Sequence, residues 1–282
     1  MAGLPDAGPP PELIFRRRVR PLHALKELWR SRELIRTLAE RDIRARYKQT
    51  ALGVGWAVLT PVLLMVVFTV FLRRVATIDT HGVPYPLFAY LGLLPWTFFS
   101  TSLNQGGQSL ISNVSILDKL YCPREVFPLA SIIVAGFDTV ISIGVLAILF
   151  VVHGFLPQGT IAWVPLLIVV QLIFTAGATM LLSAALVYVR DLRHALPMVL
   201  QLGLFVTPVA WGIAEYVPVH LRGLYSALNP LAPVIEGYRE TVLYGSPPPW
   251  GLLGIAAAAS CLYLGIGYAV FKRLETGFAD VA

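Results

Sequence analysis

Residues 36–56 read RTLAERDIRARYKQTALGVGW, and the change of character inside that stretch decides the fold. Arg36, Glu40, Arg41, Asp42, Arg44, Arg46 and Lys48 crowd its first part, whereas residues 49–72 carry no ionisable side chain over 24 positions. As a helix, such a run is about 36 Å long, enough to cross a hydrocarbon core of about 30 Å with some tilt. The chain passes here from a charged surface into a membrane.

Composition agrees with that edge. Of 282 residues, 56% are hydrophobic and only 13% charged, against about 25% charged in soluble domains, and mean hydropathy is +0.71. This is the profile of an integral membrane protein with one membrane domain and no separate soluble catalytic core. The net charge of +6 does not indicate nucleic acid, because the basic residues flank apolar spans. Cys122 and Cys261 lack metal-like or redox-like spacing and read as unpaired thiols. Residues 1–21 begin MAGLPDAGPPPELIFRRR, with no apolar run ahead of the arginines, and read as a disordered tail and not a cleavable signal.

Through residues 22–47, Leu25, Leu28, Trp29, Ile35, Leu38, Ala39, Ile43 and Tyr47 recur at three- and four-residue steps. That spacing predicts an amphipathic helix within an interfacial segment of residues 22–49, its apolar face in the headgroup boundary and its arginines toward anionic lipid. Glu40 and Arg44, like Asp42 and Arg46, are pairs in the favourable order. Arg32 and Arg46 intrude on the apolar side.

From residue 50 onward, six spans are expected. The first covers 51–72, kinked at Pro61; the second starts near Pro86, is interrupted by Pro95, and ends where the chain turns polar after Gly106. A short helix follows over 112–121, stopped by Pro123. Further spans cover 126–152, 163–188, 195–214 (broken by Pro208) and 251–271. Residues 215–250 are too polar to cross and too apolar for a free loop, which predicts two short helices dipping into the interface, 220–228 and 233–244. The expected class is all-α integral membrane. With both termini cytoplasmic, the inner side carries 18 of the Lys and Arg residues and the outer side 4, as the positive-inside rule requires.

The chain contains no Gly-Lys dipeptide, hence no P-loop, and no HExxH or paired His/Cys set. Energy must come from a partner or an ion gradient. An ion-coupled carrier needs ionisable groups near mid-bilayer, and Asp138 is the sole candidate well inside a span; it serves either helix packing or transport. His81, His153, His194 and His220 lie near span ends or in loops. Phe68, Phe71, Tyr85, Phe88, Tyr90, Trp211, Tyr216 and Tyr225 gather at outer ends, as an interface belt or as flat faces for sugars. A membrane glycosyltransferase would need a carboxylate cluster. Only Glu236 and Glu240 come close, and beside Arg239 they read as an exposed pair.

Four segments in order, RDIRARYKQTALGVGWAVLTPVL, ISNVSILDKLYCPREVFPLA, YVRDLRHALP and LNPLAPVIEGYRETVL, resemble the membrane subunit of ABC type 2 polysaccharide exporters, the family of O-antigen, capsule and wall teichoic acid permeases. The resemblance covers residues 22–282. It implies a homodimer of six-helix subunits in the inner membrane, each bound to a separate nucleotide-binding ATPase that holds ATP and Mg, with no cofactor on this chain. It also implies export of a lipid-linked glycan, most readily an O-antigen on a polyprenyl pyrophosphate. On that resemblance, residues 112–122 are the cytoplasmic coupling helix, with Leu117, Asp118, Lys119 and Tyr121 seated in the ATPase. Arg41, Arg44 and Lys48 are available for the lipid pyrophosphate, residues 215–245 are outer re-entrant helices, and the channel between first and fifth spans nominates Trp56, Phe68, Phe205 and Trp211. The remaining readings are an exporter of another cargo in the same class, such as capsule, teichoic acid, a drug or a lipid, and an ion-coupled carrier.

Overall fold

The computed structural model describes residues 27–48, 53, 55–72, 80, 82–117, 122–275 and 278. The tail of residues 1–21 lies outside them. Inside hydrocarbon every backbone N–H and C=O needs a partner within its own segment, so the long apolar runs form helices. A helical turn at 27–30 leads into α1 (Arg32–Lys48), then α2 (Gly55–Val67), which ends in a π turn (Phe68–Leu72). There follow α3 (Tyr85–Ser112), the single turn α4 (Val114–Leu117), α5 (Val126–Val152) and α6 (Val164–Tyr188), entered by a 3₁₀ turn (Gly159–Trp163). The chain continues through α7 (Leu192–Val206), the short α8 (Ile213–Tyr216), α9 (Arg222–Leu228) and α10 (Leu231–Arg239), the last extended by a π turn (Glu240–Tyr244), and closes with α11 (Trp250–Leu274).

Three helical stretches, Val126–Val152, Gly159–Tyr188 and Trp250–Leu274, are long and apolar enough to cross a membrane, and Gly55–Phe71 and Leu192–Val206 are shorter apolar helices. α3 packs on α5 and α6, α6 runs along α11, and α1 lies on α5. The α6–α11 crossing is set by two glycines: a Cβ on Gly267 would stand 2.2 Å from the Gly177 carbonyl oxygen, and one on Gly177 would stand 2.5 Å from the Leu264 nitrogen. Backbone meets backbone there, which only glycine permits.

Neither Pro61, expected to kink its span, nor Pro95, expected to interrupt its own, ends its helix. Pro61 lies inside α2, where it removes the donor that would have bonded Ala57 O; the Ser142 hydroxyl of α5 stands 3.2 Å from that carbonyl and 3.0 Å from Asp138 O, its one proton shared between them. Pro95 lies inside the continuous α3, and its carbonyl accepts from Gln171 Nε2 of α6 at 3.0 Å. Gln171 Oε1 in turn accepts from the Tyr238 hydroxyl of α10 at 3.0 Å, so three elements share one buried polar chain.

The helix of the second span continues past Gly106. α3 runs on to Ser112 with its polar side chains bonded along the helix: Ser109 is 5% exposed and donates to Gly106 O at 2.6 Å, and the part-exposed Gln108 Nε2 donates to Asn104 Oδ1 at 2.9 Å. Polarity here marks a helix face and not a loop.

Candidate functional site

At the end of the bundle that carries α1, the apolar stripe of that helix meets protein. Leu38 and Ala39 are buried in a cluster with Leu110, Val126, Phe127 and Met180. The middle of this face is thus covered by the ends of α3, α5 and α6, while Trp29 near its start is 70% exposed. Arg46, which breaks the stripe, is placed to meet Asp138. Its Nη1 stands 2.5 Å from Asp138 Oδ2, and the Tyr47 hydroxyl donates to Asp138 Oδ1. Burial, together with the carboxylate, pushes the Tyr47 phenol up to about 12, so it remains a donor. Asp138 thus holds α1 against α5.

Arg41 is engaged as well. Its Nε and Nη2 donate to Asp42 Oδ1 at 2.9 and 2.7 Å, and Nη2 also donates to Asn113 Oδ1 at 2.8 Å. Asn113 is the residue between α3 and α4, and its own amide donates to Ser109 O at 2.8 Å. Arg44 is 78% exposed with Glu40 at 3.7 Å, and Lys48 is exposed, so a cationic surface faces outward from α1. Within the expected coupling segment 112–122, Ser112 ends α3 and the turn α4 runs over Val114–Leu117; Asp118, Lys119 and Tyr121, with the side chain of Leu117, lie outside the described residues.

Beyond that segment the chain is fastened again. Burial pushes the Cys122 thiol up. Arg124 donates to Glu275 O and lies 5.5 Å from the Phe278 ring centre. Glu125 is 1% exposed and pairs with Lys272, whose Nζ also reaches Glu275 Oε2 at 2.9 Å. The residues on either side of 118–121 are therefore tied to α1 through Asn113 and to α11 through Glu125.

At the opposite end, α7 stops at Val206 ahead of Pro208, leaving carbonyls that an unbroken helix would have used. Two of them, and four carbonyls of the bend that follows, find side-chain donors. Trp211 Nε1 donates to Phe205 O at 3.2 Å, the Tyr225 hydroxyl to Val206 O at 2.6 Å, and the Tyr85 hydroxyl to Ala210 O at 3.2 Å. Arg239 donates to Pro208 O at 2.9 Å, Val209 O at 2.5 Å and Trp211 O at 2.8 Å. It is 1% exposed, lies 3.6 Å from the Phe88 ring centre, and has Glu236 Oε2 at 3.5 Å. Gly92 makes the space: a Cβ there would stand 2.4 Å from Val209 O and 2.6 Å from Arg239 Nη2. The expected exposed pair, Glu236 and Glu240 beside Arg239, is corrected, since Arg239 is buried and Glu236 is only 20% exposed and joined to it. The two short helices stand where the sequence places them, as α9 and as α10 with its π turn.

The channel nominees divide. Trp56 and Phe205 are 52% and 60% exposed, Trp211 is partly buried against Tyr216 and Tyr225, and Phe68 is 3% exposed. Phe68 is a correction: it sits in the core with Met65 and Phe88, because the π turn directs it toward α3. Sequence reasoning missed the cleft of 260 Å³ between α3 and α7, lined by Trp96, Ser100, Thr101, Asn104, Gln201 and Leu204 among others. Its signal was present as polar residues one turn apart within an apolar span.

The profile of the ABC-2 type transporter family matches residues 33–243, and the chain belongs to that family. It is a multi-pass membrane protein of a class whose members work with an ABC ATPase partner. It is 30% identical over 264 residues to the O-antigen export system permease protein RfbA of Myxococcus xanthus, covering 92% of this chain and 99% of that one. It is 26% identical over 250 residues to RfbA of Klebsiella pneumoniae, covering 88% and 95%, and 24% identical over 254 residues to the polysialic acid transport protein KpsM of Escherichia coli, covering 86% and 93%.

Proposed function

We propose that this chain is the permease subunit of an ATP-driven exporter that moves a lipid-linked polysaccharide, an O-antigen on a polyprenyl pyrophosphate, across the inner membrane. It acts as a homodimer of six-span subunits, α2, α3, α5, α6, α7 and α11, with both termini cytoplasmic and one ATPase, holding ATP and Mg, on each. The names of the relatives support the cargo class, and the distribution of Lys and Arg supports the orientation.

One observation carries the reading: Arg41 of the cationic helix α1 grips Asn113, at the root of the turn on which an ATPase would press. The surface that receives an anionic headgroup and the element that receives motion are one mechanical unit. Arg44 and Lys48, exposed beside Arg41, meet the pyrophosphate through charge-assisted hydrogen bonds of about 1.5–3 kcal/mol each before screening. ATP closure then moves the segment that includes Leu117, Asp118, Lys119 and Tyr121, and α1 and α11 with it.

The test uses vesicles containing the chain, its ATPase and a lipid-linked glycan. Arg44→Ala with Lys48→Ala lowers export at unchanged ATPase binding. Undiminished export by that variant removes the capture step.

KpsM, named for polysialic acid transport, favours a capsule polymer as the second reading of the cargo. Exchange of the lipid-linked glycan in the same vesicles separates the two.

A further inference from the structure

The cleft between α3 and α7 keeps polar groups where a lipid-facing surface would not. Ser100, Thr101 and Asn104 share one face of α3, Gln201 lines the same cleft from α7, and Trp96 and Leu204 contribute its apolar part. Two of these groups are held in orientation: Ser100 Oγ donates to Thr97 O at 3.3 Å, and Asn104 Oδ1 accepts from Gln108 Nε2 at 2.9 Å. Among the described residues no hydrogen bond is formed by Thr101 Oγ1 or by the Gln201 amide, and Gln201 is exposed.

In hydrocarbon an unpartnered hydroxyl or amide is unfavourable, so such a cleft calls for an occupant that hydrogen-bonds. The lining contains no charged side chain, which matches a neutral occupant and not a phosphate. Gly203 lets the indole of Trp96 close directly on α7, since a Cβ there would stand 2.8 Å from Trp96 Cη2. The helices touch through that ring, and the cleft stays open beside it. It is a shallow groove of 260 Å³, open along most of its extent, which suits a segment of a chain lying along it and not an enclosed whole ligand.

We infer that this cleft is a contact site for an uncharged, hydroxyl-rich stretch of the exported polymer, with Thr101, Asn104 and Gln201 as its hydrogen-bonding residues. The inference rests on the polysaccharide reading above.

Thr101→Cys and Gln201→Cys, each combined with Cys122→Ser and Cys261→Ser, test it with a water-soluble methanethiosulfonate. Membranes come from cells that make the polymer and from cells whose polymer synthesis is blocked. Both cysteines react in blocked cells and react several-fold more slowly in producing cells. Equal rates in the two, or no reaction in either, overturn the inference. Where the cysteine variants do not accumulate, Thr101→Val with Gln201→Met decides. It slows export about tenfold, the effect of roughly one net hydrogen bond, at unchanged protein level and ATPase binding. Unchanged export overturns the site. The native chain, assayed in parallel, separates the two levels: if it exports no polysaccharide the function reading fails, and if it exports normally while the variants behave as native, only the cleft assignment fails.

Discussion

Asp138 holds two consecutive residues of α1, with Arg46 Nη1 2.5 Å from Oδ2 and the Tyr47 hydroxyl donating to Oδ1. The Arg46 and Asp138 side chains are only 33% and 18% exposed. A carboxylate inside an apolar helix is thereby matched by a cation from a surface helix, and both departures from the apolar pattern have one cause.

Asp138→Ala removes the carboxylate that both Arg46 and Tyr47 meet and costs about 1.5–3 kcal/mol, read as a lower unfolding midpoint in detergent. Arg46→Leu with Asp138→Leu recovers much of that loss and retains export. If the double variant is stable but does not transport, Asp138 takes part in transport itself, as an ion-coupled carrier would require.

Arg239→Ala exposes three carbonyls to an apolar site and leaves Glu236 without its cation. A loss of about 3–5 kcal/mol is expected, the range for breaking a buried ion pair. Arg239→Lys preserves charge but not the fork, and falls between native and alanine. A thermal series that ranks lysine with native would show that charge alone suffices.

Gly267→Val places a side chain into the Gly177 backbone and prevents the α6–α11 crossing, whereas Gly254→Ala meets open space on the same helix. The first variant loses monodisperse protein on size exclusion and the second does not. Equal yields would mean that the crossing is looser than the backbone contact implies.

Partial burial pushes the Cys122 thiol up, so less thiolate exists at neutral pH than in a free thiol. With Cys261→Ser, its alkylation rate keeps rising past about pH 8.5, the midpoint of an unburied cysteine. A plateau reached below that pH contradicts the burial.

Hydropathy alone placed α5, α6 and α11 to within a few residues, because a bilayer leaves an apolar run no alternative to a helix. The paired short helices were legible from a stretch too polar to cross and too apolar to float. Arg239 was not: a lone arginine outside a span reads as solvated, and only the broken end of α7, brought to it by the fold, supplies acceptors. Asn104 and Gln201 escaped for a related reason. Polar residues in a span look like its end until the neighbouring helix shows which face they share. Phe68 was nominated by the resemblance, which names a channel-lining span without saying which way a ring faces, and the fold turns this ring into the core.

The central claim is that this chain carries no motor and transmits the work of an ATPase through the turn rooted at Asn113 and Glu125. Export of lipid-linked glycan into vesicles holding the purified chain, with and without its ATPase and ATP, measures it most directly. The account predicts transport only when both are added, whatever ion gradient is imposed. Glycan movement by the chain alone contradicts it.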